Sequence, residues 1–288
     1  MRVALVTCTA MPEPDPDRGP LADALADAGV DATWVAWNDG LPLDGWAGYD
    51  LAVLRATWDY HLEIDRFLTW VSEVSTRVPL LNPAEVVRAN AHKSYLTALA
   101  ARGVATVPTL LISRDRPARV AELATDRGWR DLVIKPAVSG GSFRTWRVTA
   151  DAPDAEARLA AVLAGGDALV QPYVHDVDAA GERALVWIDG AFTHAVRKSP
   201  RFTGDDERVT GPLPIADDER AVATAALAPI AERLLYARVD LCRDASGRPQ
   251  VMELELIEPS LFLLQHPPAL ARLVRAITRH ASSAERRP

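Results

Sequence analysis

Apolar and polar positions alternate in blocks along the chain, and the block lengths predict the elements. Residues 2–7 are rich in Val and Leu and read as a buried strand. Residues 21–28 read as a helix, stopped by Gly29. Residues 32–36 and 51–54 read as two further strands, 67–78 as a helix, and 80–82 as a short strand closed by Pro83. Strands alternating with helices predict a parallel sheet, and open parallel sheets take ligands beyond the carboxyl ends of their strands. The third strand runs straight into Arg55, Thr57, Trp58, Asp59 and Tyr60, a polar and aromatic cluster at that place. One reading makes it a substrate surface. The other packs Trp58 and Tyr60 under the next helix and pairs Arg55 with Asp59.

The pattern changes character near Asn90. Residues 90–102 predict a helix with Lys93 in its first turn, and 107–112 a strand. A helix at 118–127, strands at 132–135 and 144–149, a helix at 153–164 and a strand at 168–171 follow, an α+β block of ordinary domain size. Residues 172–181 read as a linker. Strands at 184–188 and 191–198 form a hairpin across the Asp-Gly turn at 189–190. Residues 199–214 read as a mobile polar loop, and 217–235 as an Ala-rich helix capped by Asp217 or Asp218. A second hairpin has one strand ending near Cys242, a turn at 244–249 and a return strand at 250–257. A closing helix at 268–280 and a frayed tail at 282–288 end the chain.

Composition narrows the class. With 49% hydrophobic and 25% charged residues over 288 positions, the chain is an ordinary globular protein with room for two domains. A net charge of −7 argues against a basic nucleic-acid surface, and scattered Lys and Arg argue against an anionic membrane partner. No apolar run approaches the roughly 18 residues that span a bilayer. The apolar start turns to Pro and Asp at 11–20, so it reads as a strand and not a signal peptide. Cys8 and Cys242 both fall in strands, as reduced core residues of a cytoplasmic protein do. The six histidines show no ligand spacing.

Three stretches carry chemistry. In the second hairpin, strand alternation puts Glu253 and Glu255 on one face, with Asp240 within cross-strand reach. Three half-buried carboxylates repel one another and need a counter-charge. An all-oxygen set suits Mg²⁺ or Mn²⁺, and Mg²⁺ commonly also holds phosphate oxygens; the plainer reading is a solvated sheet face. In the segment DLVIKPAVSGGS, a strand delivers Lys135 to a flexible loop. There Gly140, Gly141 and Ser142 can offer backbone N–H groups to phosphate, or simply turn the chain. It is not a P-loop, and no dinucleotide or kinase motif occurs. In LVQPYV, the extended run Gln171, Pro172, Tyr173, Val174 can present its backbone to a purine edge or serve as a plain connection.

The order of these pieces resembles the ATP-grasp superfamily: a lysine at a helix start, Lys-Pro with a Gly-rich loop, an extended linker, Arg197–Lys198, an Asp, then Glu-x-Glu. The tail MELELIEPS is similar to the EINVTSP segment of bacterial glutathione synthetase. The resemblance runs from about residue 82 to the end. It implies α/β and α+β architecture, with a Rossmann-like substrate domain at 1–89, a central ATP-grasp subdomain at 90–170 and a C-terminal one at 171–288. It implies that Lys93 and Lys135 hold ATP phosphates, that Gly140 and Gly141 belong to the phosphate loop, and that Gln171 to Val174 form the adenine hinge. It further places Leu254 under the adenine and Asp178 at the ribose. Asp240, Glu253 and Glu255 become Mg²⁺ ligands, the last replacing an Asn of many relatives. Arg197, beside Lys198, steadies the transferring phosphoryl group.

Where relatives often show Asp-x-Arg before the hairpin turn, this chain has Glu182, Arg183 and Ala184, whose roles stay open. The implied chemistry is activation of a small-molecule carboxylate as an acyl phosphate, followed by attack of nitrogen. The RATWDY element and the ELELIEPSLF tail resemble the cyclo-ligases of D-cycloserine biosynthesis, which close O-ureido-D-serine onto its own carboxylate. That reading expects Arg55, Thr57, Trp58, Asp59 and Arg144 around the substrate. The alternatives are an intermolecular carboxylate–amine ligase, a phosphotransferase of the same fold, and a catalytically inactive nucleotide-binding protein. Oligomeric state stays open.

Overall fold

The computed structural model describes residues 1–11, 13–200, 202 and 208–284. Within these, thirteen strands form three sheets in chain order. The first holds β1 (Arg2–Thr7), β2 (Asp31–Ala36), β3 (Leu51–Ala56) and β4 (Leu80–Leu81), all parallel, in the order β2-β1-β3-β4. Between them lie α1 (Arg18–Asp27), α2 (Leu43–Trp46) and α3 (Ile64–Val74). Val3 to Val6 are fully buried on both faces of β1, which explains the unbroken apolar run there. Two short helices follow, α4 (Ala84–Asn90) and α5 (Tyr95–Ala101).

The second sheet is antiparallel, in the order β5-β8-β6-β7: β5 (Leu110–Ile112), β6 (Asp131–Pro136), β7 (Trp146–Thr149) and β8 (Ala168–Pro172). Helices α6 (Val120–Arg127) and α7 (Ala155–Leu163) share a core with it. The third sheet follows α8 (Asp176–Ala180). It comprises β9 (Glu182–Ile188), β10 (Ala191–Lys198), β11 (Val209–Leu213), β12 (Tyr236–Arg243) and β13 (Pro249–Glu255), antiparallel in the order β11-β10-β9-β12-β13. Helix α9 (Asp217–Leu227) packs with α5 on one side of this sheet. Helix α10 (Pro267–Ala284) carries Leu273 and Ile277 into a core that joins α1, β1 and β3 to β9 and β12. The closing helix therefore seals the first sheet onto the third, each fully buried Leu or Ile contributing about 2 kcal/mol.

Several sequence expectations change. Lys93 is not in the first turn of a helix: it sits in the bend between α4 and α5, where its own N–H donates to Ala137 O at 2.7 Å. The linker at 172–181 contains α8, and the loop at 199–214 contains the edge strand β11. Residues 201 and 203–207 of that loop, and 285–288 of the expected frayed tail, lie outside the described residues. The helix expected to run to 235 stops at Leu227. Pro229 has no N–H for the carbonyl of Ala225, and the Arg102 guanidinium donates to that carbonyl instead at 3.2 Å. Neither Asp217 nor Asp218 caps α9. Ala216 precedes it, and the Glu219 carboxylate accepts the Ala216 N–H at 3.1 Å.

Candidate active site

The three sheets meet around one cavity of about 520 Å³, within the usual range for small-molecule sites. The loop past β3 contributes Trp58, Asp59, Tyr60 and His61 to its lining. The second sheet contributes Lys135, the loop at 139–143 and the hinge Gln171 to Val174. The third contributes Glu182, Lys198, Arg238, Asp240, Glu253, Leu254, Glu255 and Glu258.

The Gly-rich loop at 139–142 is tightly held. Lys93 Nζ donates to Ser139 O at 2.6 Å and pairs with Glu253 at 2.9 Å, so one lysine ties the Gly-rich loop to the carboxylate hairpin. A Cβ on Gly140 would sit 3.3 Å from His61 Nδ1, so the loop rests closely on the segment past β3 and a side chain there would have to displace His61 by a few tenths of an ångström. Gly141 (φ +55°) and Ser142 (φ +60°) adopt the left-handed conformation that turns the loop. Lys135 is buried at the end of β6, and burial pulls its pKa down despite nearby Glu253. In the hinge, Gln171 Nε2 donates to Thr109 Oγ1 at 2.8 Å and the Tyr173 N–H donates to Asp131 O at 2.8 Å.

The hairpin register sets Asp240 directly opposite Glu253. Arg238, two residues before Asp240 and so on the same strand face, donates to both oxygens of Asp240 at 2.9 Å and to Glu255. Lys198 Nζ lies 2.6 Å from Asp240 and 3.2 Å from Glu182. Burial opposes ionisation of Asp240, but Arg238 and Lys198 outweigh it and hold its pKa low. Glu255 goes the other way: burial and the neighbouring carboxylates raise it in spite of Arg238. Burial also raises Glu182, and raises Glu258 well above the usual carboxylate range.

Seven carboxylates (Glu13, Asp59, Glu182, Asp240, Glu253, Glu255, Glu258) thus face four cations (Lys93, Lys135, Lys198, Arg238) in the lining. That excess of negative charge, carried by hard oxygen donors, fits a divalent Mg²⁺ or Mn²⁺ ion. As they stand, no three His, Cys, Asp or Glu among the described residues are gathered tightly enough to hold a metal, because Asp240, Glu253 and Glu255 turn to cations. An ion there would replace part of those contacts.

Five of the sequence-selected residues are not brought to the cavity wall. Arg197 alternates with Lys198 and points away, its guanidinium donating to Ala179 O at 3.0 Å. Strand alternation lets only one of such a pair face inward, and here it is the lysine. Arg144 (φ +50°) precedes β7 and reaches back to Ala161 O at 3.4 Å. Asp178, on α8, accepts the Tyr173 hydroxyl and lies 3.5 Å from Arg147. Arg55 and Thr57 are buried behind the site. Arg55 Nη2 reaches Pro259 O at 3.4 Å, while its Nε and Nη1 and the Thr57 hydroxyl have no hydrogen-bond partner among the described residues. Trp58 lines the cavity and donates to Glu258 O at 3.0 Å. Asp59 accepts from Trp37 Nε1 at 2.7 Å and Asn38 Nδ2 at 2.8 Å, and does not pair with Arg55.

The structure also supplies residues the sequence reading missed or left open. Arg238 was signalled by its i, i+2 spacing to Asp240. Glu182 enters the cavity, whereas Arg183 holds Glu219 at 3.0 Å and so fixes the start of α9. Asn90 and Asn82 dock the preceding segment on the hairpin, Asn90 through Leu254 O at 2.8 Å and Leu256 N at 2.9 Å, Asn82 through Leu256 O at 2.8 Å. Burial pushes the Cys8 thiol up to about 11 and Cys242 to about 12, which keeps both protonated. Among the described residues no helix is long and apolar enough to cross a membrane.

Comparison with known proteins agrees with this architecture. Residues 3–82 match the family described as the N-terminal domain of D-cycloserine synthetase DcsG. The cycloserine biosynthesis protein DcsG of Streptomyces lavendulae is 34% identical over 96% of this chain and 97% of its own. The crystal structure of D-cycloserine synthetase DcsG superposes with a TM-score of 0.87 at 32% identity, covering 98% of this chain and all of that one. A D-alanine–D-alanine ligase from Bacillus anthracis shares the fold alone, with a TM-score of 0.69 at 18% identity over 98% of each chain. With a relative this similar over nearly its whole length, the chain belongs to the D-cycloserine synthetase family, built on the ATP-grasp ligase fold.

Proposed function

We propose that the protein is an ATP-dependent ligase that closes O-ureido-D-serine into D-cycloserine. The observation that carries this reading is the 34% identity to a cycloserine biosynthesis protein across nearly the full length of both chains. The cavity has the groups the reaction needs. The γ-phosphoryl of ATP passes to the substrate carboxylate, and ADP leaves. The ureido nitrogen bonded to oxygen then attacks the acyl carbon. A C–N bond forms, phosphate departs with its oxygen, and the nitrogen gives up its proton. Water removes the carbamoyl group as carbon dioxide and ammonia.

Lys93, Lys135 and the backbone of Gly140, Gly141 and Ser142 face the phosphates in this reading, with Gln171 to Val174 at the adenine and Leu254 beneath it. Arg238 and Lys198, which Asp240 draws into the cavity wall, offer positive charge to the transferring phosphoryl group. Asp240, Glu253 and Glu255 would hold Mg²⁺ or Mn²⁺, which supplies charge neutralisation at the phosphates. Ser199, Pro200 and Phe202 cover one side of the cavity and help keep water from the acyl phosphate. Arg197, Arg144 and Asp178 drop out of the contact set, and Arg55 acts from behind it.

Because acid and nucleophile belong to one molecule, ring closure exploits a high effective concentration and needs no second amine. The test supplies O-ureido-D-serine, ATP and Mg²⁺ with no other amine, and follows ADP and product mass. Cyclised product is expected. Turnover that waits for an added amino acid, with no ring formed, would replace this reading with an intermolecular ligase.

A further inference from the structure

Four consecutive carbonyls after the carboxylate hairpin are each held by a side chain. Ile257 O accepts from Tyr236 at 2.8 Å, Glu258 O from Trp58 at 3.0 Å, Pro259 O from Arg55 at 3.4 Å and Ser260 O from Arg238 at 3.4 Å. The donors come from two different sheets, so this backbone is pinned from both sides. The pinning fixes where the Glu258 side chain stands in the cavity wall. Four other carboxylates of that wall have a cation within 4.0 Å: Glu182 has Lys198, Asp240 has Lys198 and Arg238, Glu253 has Lys93, and Glu255 has Arg238, while Asp59 accepts from Trp37 and Asn38. Among the described residues Glu258 has no ion pair and no side-chain hydrogen bond. Burial and nearby Glu255 accordingly raise its pKa well above the usual range.

We infer that Glu258 is a specificity residue that binds the α-ammonium group of the substrate. This rests on the proposed activation of an amino-acid carboxylate at the same site. Arg238 donates to Glu255 and to Ser260 O, so its guanidinium brackets position 258. A substrate carboxylate brought to Arg238 for phosphorylation thus has Glu258, an acid of the same cavity wall that feels the Arg238 charge, available to its α-ammonium. An α-amino acid carries the missing counter-ion with it. A carboxylic acid without the amine leaves Glu258 without a counter-ion and so protonated, and forgoes the ion pair that an α-ammonium makes, so the site discriminates against it.

The experiment measures binding by calorimetry in the presence of Mg²⁺ and a non-hydrolysable ATP analogue. The ligands are O-ureido-D-serine and its analogue lacking the amino group, 3-(ureidooxy)propanoic acid, tested on wild type and on Glu258→Gln. Wild type is expected to prefer the amino acid by about 10- to 100-fold, the range for a hydrogen bond to a charged group. Glu258→Gln is expected to cut that preference to within about threefold, while its affinity for the analogue stays within about threefold of wild type. An unchanged preference in the variant overturns the assignment, as does a wild type that binds both ligands equally. A variant that weakens both ligands by the same factor overturns it too, because that is the mark of a structural role. Binding is read without turnover. The expected pattern without any cyclised product would therefore sink the proposed reaction and leave the Glu258 assignment standing.

Discussion

The hinge end of the cavity and its hairpin end are both built on antiparallel sheets, but they handle charge in opposite ways. At the hinge, Gln171, Pro172, Tyr173 and Val174 offer backbone and neutral groups, and the nearby Arg147–Asp178 pair is half-exposed at 3.5 Å. At the hairpin, Lys198 and Asp240 meet at 2.6 Å with side-chain exposures of 8% and 2%, and Arg238 is shared between two acids. A neutral hinge can be altered with little electrostatic cost. At the hairpin, the groups proposed to do the chemistry are also the groups that satisfy one another's buried charge, so on this reading chemistry and stability are coupled there.

The contrast breaks most visibly within the hairpin itself. Asp240→Asn and Glu255→Gln are both expected to lower turnover by at least about 100-fold, since each alters the charges around the transferring phosphoryl group. Their stabilities should part. Asp240→Asn takes from Arg238 and Lys198 the acid they share, leaving them only Glu255 and Glu182, and is expected to cost about 3 kcal/mol. Glu255→Gln removes a carboxylate whose neighbours already oppose its ionisation, and should stay within about 1 kcal/mol of wild type. Urea unfolding beside an ADP-release assay reads both. Equal stability losses in the two variants would remove the distinction between a compensated and an uncompensated acid.

Much of this site was legible because its signals are local. Alternation along 250–257 placed Glu253 and Glu255 together, and Gly-Gly after a strand-borne lysine marked the loop at 139–142. The order of the strands and the acidic hairpin were readable for the same reason. What escaped reading depends on contacts across the chain. Nothing near Asn90 signals that its amide bonds a strand 164 positions away. Arg55 and Trp58 look like substrate groups at a strand end, yet they hold carbonyls about 200 positions distant. The choice between Arg197 and Lys198 turned on strand phase. A one-residue shift reverses it, and the irregular pairing of β10 with its neighbours lies in between. Helix ends at 74, 227 and 95 were misplaced by several residues for want of visible caps.

Nucleotide kinetics sharpen the comparison next. Lys135→Ala is expected to raise KM for ATP roughly 10- to 100-fold, because a phosphate loses a buried cationic partner. Arg197→Ala, whose side chain faces away from the cavity, should leave kcat and KM within about twofold. A large loss of kcat in Arg197→Ala would return that arginine to the site. On the hinge side, Tyr173→Phe removes the hydroxyl that donates to Asp178. It should cost about 1 kcal/mol of stability and leave KM for ATP within about threefold. A tenfold rise would mean that the hinge depends on that network as the hairpin depends on its own.

The smallest effect lies outside both ends and is needed to read the hairpin's pH behaviour cleanly. His194 is 3% exposed on β10, its ring 4.8 Å from that of His266, and its Nε2 has no hydrogen-bond partner among the described residues. Burial, with His266 adding to it, lowers the His194 pKa to about 4, below the usual value near 6.5. The unfolded chain therefore binds a proton at this residue before the folded one does. Its contribution to stability is whole above about pH 6.5 and falls as the pH drops toward 4, by about 1 kcal/mol at pH 5.5. The raised carboxyls Glu255 and Glu258 act with the opposite sign, since their ionisation penalises the folded state as pH rises. Denaturant melts of wild type and His194→Gln between pH 5 and 8 separate the two contributions. The wild-type curve should fall more steeply below pH 6.5 than the variant's, and the slope left in the variant belongs to the carboxyls together with His61 and His280, which burial also lowers. Parallel curves would mean that His194 is protonated in the folded protein, with its charge accommodated beside His266.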